Sequence, residues 1–168
     1  VTPPDPAQRL SAALNRLYAA FAHIPRPTAI EACPHCWTNR DTAALLAPVP
    51  LRDMTADMLR RYAAKALTTV GTEADFRYFV PRLLDIACTT GFDHPNLEIL
   101  LDRLRLAEWT RWGPAGQDAI RDLLQVRRAA ALSESQNDVE DMFGQEEARA
   151  MIDVIDDFLG PRGTPTDA

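Results

Sequence analysis

At 168 residues, 46% apolar and 25% charged, the chain is long enough to bury about two thirds of its unfolded surface, and its composition is not that of a disordered polymer or a cross-linked miniprotein. A net charge of −6 argues against nucleic acid as a partner. No apolar run approaches the roughly eighteen residues of a membrane span, and the first stretch, VTPPDPAQRL, does not read as a secretory signal, so the expected location is cytoplasmic.

The first helix is expected from Asp5, an N-cap acid followed by Pro6, with Leu10, Leu14, Leu17, Tyr18 and Phe21 on one stripe. The prolines of IPRP end it, which leaves residues 24 to 40 as loop. A short helix over RDTAALLA follows. The next has Thr55 as cap and Leu59, Ala63, Ala66 and Val70 on its apolar face, ended by Gly71. Thr72 with Asp75 then makes a capping-box pattern for a helix carrying Phe76, Phe79, Val80, Leu83 and Ala87, which Pro81 should bend or split at Val80. Pro95 opens a helix with Leu97, Leu100, Leu101 and Leu104 inward, and a further helix runs from Pro114 to about Leu132 with Ile120, Leu123 and Leu124 buried. SESQND reads as a polar break, and Ala148, Met151, Ile152, Ile155 and Leu159 mark a last amphipathic helix before a flexible tail at 160 to 168.

No convincing strand pattern occurs. The expected fold is all-α over residues 5 to 159, either an irregular helical bundle or a short α-solenoid of antiparallel helix pairs.

Chemistry concentrates in CPHC. In a reducing compartment a close cysteine pair is a metal or redox feature before it is a stable cross-link. Two thiolates at this spacing supply half of a tetrahedral zinc site, for which Cys33, Cys36, Cys88 and His94 are the candidate ligands. The same tetrapeptide occurs in periplasmic thiol oxidases that resemble thioredoxin, where Cys33 would attack, Cys36 would resolve and His35 would stabilise the thiolate. That chemistry is usually built on a βαβ unit, which this sequence lacks.

No phosphate-cradling loop, G-x-S-x-G or H-E-x-x-H is present. The leading expectation is therefore a non-catalytic protein-interaction module, an adaptor or immunity-type protein, with a zinc-binding or thiol-redox protein as the alternative. Residues 133 to 157 hold nine acids against one base, Arg149, and suit a basic protein partner. The candidate partner-binding residues are Lys65 (the sole lysine), Thr69, Asp75, Tyr78 and Arg82 on two successive helices, Trp109 and Trp112 beside arginines, and Asp153, Asp156 and Asp157.

At RPTAIEACPHC and PLRDMTADMLRRYAAKALTTVGTEADFRYFVPRLLDI, within roughly residues 10 to 125, the chain resembles a family of uncharacterised bacterial proteins pairing a C-P-H-C loop with a Tyr-Ala-x-Lys-Ala-Leu-Thr-Thr helix. The resemblance falls on Cys33, Pro34, His35, Cys36, Leu51, Thr55, Tyr62, Lys65, Thr68, Thr69, Asp75, Phe76, Arg77, Pro81 and Arg82, with Tyr78 where a histidine is expected. It implies a helical-repeat architecture and no particular activity.

Overall fold

The computed structural model describes residues 5–137 and 142–160. Its helices in chain order are α1 (Pro6–Phe21), α2 (Asn39–Leu45), α3 (Ala56–Lys65), α4 (Glu73–Cys88), α5 (Leu97–Leu106), α6 (Pro114–Asn137) and α7 (Met142–Leu159), with short 3-10 turns at Leu51–Asp53 and Trp109–Arg111. Among the described residues there is no strand, only isolated bridges, so the fold is all-α.

Local chemistry sets the helix starts. Asp5 and Gln8 form a capping box at α1, with Pro6 in the first turn. Thr38 with Asp41 does the same at α2, and Thr72 with Asp75 at α4. Thr55 and Asn96 accept the N–H groups of Met58 and Ile99 at the starts of α3 and α5. Each such side chain satisfies a donor that the helix itself leaves without a partner.

Packing then excludes the solenoid. α1 lies against α6 and α4, α4 against α5, and α7 against both α6 and α5, so helices distant in sequence close a ring. A solenoid would join only sequence neighbours. The result is a helical bundle whose one contiguous core runs from Ala13 to Phe158 and includes Leu17, Phe79, Leu100, Ile120 and Ile155.

Three expectations need correction. Of the bend or split expected at Pro81, the split does not occur: α4 runs through it as one helix. A proline inside a helix costs about 3 kcal/mol, whereas each fully buried Phe or Leu returns roughly 1.5–3 kcal/mol, and α4 buries Phe76, Phe79, Leu83 and Leu84. α3 stops at Lys65, so Val70 is not on its face: Leu67 turns the chain with φ 65, and Val70 is buried instead by bridging Ala32 and Ala66. Ser133–Asn137 continue α6, because the Ser133 and Ser135 hydroxyls bond back to Ala129 O and Leu132 O while Arg127 reaches Glu134. Asp138 and the tail from 161 on lie outside the described residues.

Candidate functional site

The CPHC segment is a tight turn strapped to the loop after α3. Cys36 and Trp37 both donate their N–H to Cys33 O at 3.0 Å, which folds the tetrapeptide back on itself. Upstream, Ala32 pairs antiparallel with Val70, with Cys33 N–H donating to Thr69 O at 2.9 Å and Gly71 N–H donating to Glu31 O at 2.7 Å. Downstream, the turn is anchored by Trp37, buried with its indole N–H donating to Thr42 Oγ1 at 2.9 Å.

Lys65 brackets the turn from both ends. Its ammonium donates to Cys36 O at 3.2 Å, where Arg61 also donates at 3.1 Å. Its carbonyl accepts the N–H groups of Thr68 and Thr69, shaping the loop that holds Cys33 N–H. Arg61 is in turn fixed by Asp41 at 2.8 Å, whose carboxyl is held below the usual range by the backbone N–H of Thr38, with its hydroxyl and Arg61 adding to the effect.

The surroundings lower the pKa of the Cys33 thiol. The backbone N–H of His35 lowers the pKa of this thiol most; burial opposes it as the next largest effect, and the thiol and N–H of Cys36 and the charge of Lys65 add smaller lowering contributions. Cys33 and Cys36 are both free and partly exposed. Cys88, the third cysteine, is buried in α4, and loss of solvent pushes its thiol up to about 12. The chain therefore separates one activated thiol and its neighbour from one inert thiol.

The four zinc candidates are not gathered. Cys88 is buried in the core and His94 is exposed in the loop before α5, and among the described residues no group of three or more His, Cys, Asp or Glu side chains is arranged to hold a metal ion.

The expected polar face on α3 and α4 also divides. Lys65 and Thr69 belong to the CPHC turn, whereas Asp75 closes the α4 capping box by accepting from Thr72 N–H and Oγ1. Tyr78 packs edge-on against Phe79. Arg82 faces inward: it donates to Met54 O at 2.7 Å and to Asp85 at 2.8 Å, and Asp85 also accepts from Tyr18, whose phenol is raised by burial and by this carboxylate.

Trp109 and Trp112 are both 6% exposed, so these two candidate partner-binding residues belong to the core. Trp109 stacks on Phe158 at 5.1 Å under the guanidinium of Arg121, and Trp112 meets Phe21 edge-on and donates to Glu73 at 2.8 Å. The cations over the two rings are Arg121 on Trp109 and Arg77 on Trp112, neither of them among the arginines adjacent in sequence.

The acidic helix is partly docked on the protein itself. Asp156 takes two hydrogen bonds from Arg128, and Asp157 pairs with Arg105 at 2.8 Å. Asp153 is exposed and forms no ion pair among the described residues. Beside it, between the start of α5 and α7, a groove of about 370 Å³ is lined by Phe92, Pro95, Leu97, Met151 and Val154 together with Glu98 and Glu147.

The features together define an all-α bundle bearing a dithiol turn on a short backbone strap. Comparison with protein-family models, with curated proteins and with solved structures finds no match to this chain.

Proposed function

We propose that this protein carries out thiol–disulfide exchange through Cys33 and Cys36. The observation that carries the reading is the turn itself: the N–H groups of Cys36 and Trp37 donate to Cys33 O at 3.0 Å, which sets two partly exposed thiols on one tight turn, with the Lys65 ammonium on Cys36 O at 3.2 Å and the Cys33 pKa lowered by these surroundings. The Cys33 thiolate attacks one sulfur of a disulfide R–S–S–R′, forming a mixed disulfide with R and releasing R′–S⁻, which takes up a proton. Cys36 then gives up its proton and attacks the Cys33 sulfur, releasing R–S⁻ and leaving a Cys33–Cys36 disulfide. The substrate is reduced by two electrons and the chain is oxidised by two. Cys33, Cys36, Lys65 and Thr69 meet at this one turn, which supports the reading.

The test is a redox titration of the whole chain in dithiothreitol buffers, with thiols counted by mass spectrometry, alongside alkylation rates across pH. Expected are a reversible Cys33–Cys36 disulfide with Cys88 left free, and a Cys33 alkylation profile whose midpoint lies below the ordinary thiol value of about 8.5. The sign follows from the direction of the shift: reactivity persists below the ordinary value and is lost only as pH falls through the depressed one. An ordinary midpoint together with no disulfide in any buffer rejects the reading.

A second reading, a docking face for a basic protein partner, is favoured by the α5–α7 groove, where Glu98, Glu147 and Asp153 remain without ion pairs among the described residues while Asp156 and Asp157 are taken up internally.

A further inference from the structure

The strap leading into the dithiol turn has one closed edge and one open edge. In the Ala32–Val70 pair the bonds are made by the flanking residues, through Cys33 N–H to Thr69 O and Gly71 N–H to Glu31 O. Antiparallel pairing alternates, so the N–H and C=O of Ala32 itself point away from Val70. Val70 is closed on its far side, where its carbonyl accepts from Leu67 N–H at 2.9 Å. Ala32 is not: neither of its main-chain groups hydrogen-bonds to any described residue, and it is only half-buried, between exposed Glu31 and half-buried Cys33.

We propose that the disulfide exchanged at Cys33 is carried by an extended polypeptide, which docks as an added strand on Ala32. Its main chain accepts the Ala32 N–H and donates to the Ala32 C=O, the mode by which peptides add to a sheet edge. This rests on the thiol-exchange reading and names its substrate class. The dimensions agree. A residue opposite Cys33 would form the non-hydrogen-bonded neighbour of the docked pair, with Cα atoms about 4.5 Å apart, and disulfides span Cα separations of about 4.4–6.8 Å. A cysteine at that position therefore has its Cα within disulfide reach of Cys33. Pro34 has no N–H to offer, so the edge ends there and the single bonded pair at Ala32 sets the register.

The experiment uses the full chain with Cys36→Ser, which halts exchange at the mixed disulfide. Two probes are compared: 4,4′-dithiodipyridine, which has no main chain, and a linear peptide whose one cysteine is activated as its thiopyridyl disulfide. Amide hydrogen exchange at Ala32 is then read in both adducts. Exchange about fivefold slower or more in the peptide adduct alone is expected, as one net backbone hydrogen bond gives. Equal exchange in the two adducts overturns the docking proposal and leaves the thiol reading standing. A peptide N-methylated at the residue facing Ala32 should also react more slowly than its parent, and equal rates count against docking. If neither probe forms an adduct at Cys33, the thiol reading itself fails, and the docking proposal with it.

Discussion

Replacing Phe158 by alanine tests whether the acidic helix α7 is an integral wall of the bundle or an arm laid on its surface. Phe158 is 8% exposed and stacks on Trp109 with an interplanar angle of 21°, while Arg105 covers its other side at 5.1 Å. Truncating a buried Phe costs about 3–5 kcal/mol through lost transfer energy and the cavity left behind. Phe158 lies near the end of α7, where the structure can partly collapse, so the lower limit of about 3 kcal/mol applies. For a chain of this size that corresponds to a fall of roughly 6–12 °C in Tm. Urea denaturation followed by tryptophan fluorescence gives the free-energy loss, and a thermal melt followed by circular dichroism gives the fall in Tm. A loss under about 1 kcal/mol would show that α7 is not anchored through Trp109, and would remove the packing argument for a closed bundle.

Thr72→Ala removes the hydroxyl that receives Asp75 N–H and donates to its carboxylate, and should cost about 1 kcal/mol, read as a lower urea midpoint at unchanged slope. Charge reversal of Glu98 and Asp153 to lysine should cost no more than about 1 kcal/mol, because neither is ion-paired and only Glu98 sits in the first turn of a helix, yet abolish binding of a synthetic basic amphipathic peptide to the groove; undiminished binding rejects the basic-partner reading.

Helix starts were legible in the sequence because capping is local: Asp5, Thr55 and Thr72 sit within three residues of the donors or acceptors they meet. What depended on distant partners was not. Val70 has helical spacing to Ala66, and nothing local reveals that it is buried by Ala32 instead. Pro81 carries a breaking signal that only the core around Phe79 and Leu83 overrides. Trp109 and Trp112 lie beside arginines in sequence, but their burial comes from Phe158 and Phe21, far along the chain. The cysteine pair was visible at once, whereas its activation was not. The His35 and Cys36 N–H groups act through the geometry of the turn, and Lys65 arrives from another helix. Trp37 pins the far side of that turn, and its only signal in the sequence is its place directly after the second cysteine.

Gly71 ties the strap to the rest of the protein, and it leaves little room for sequence drift. Its φ of +75 suits glycine, and a Cβ there would come within 3.2 Å of the Tyr62 hydroxyl in the core, while its N–H holds Glu31 two residues before Cys33. A side chain at this one position would strain the backbone, crowd the core and loosen the support of the reactive thiol together. Variants selected for thiol chemistry and variants selected for a stable fold are thus screened at the same residue, so lineages that keep the cysteine pair should keep this glycine, and loss of the pair alone does not release the position from the fold.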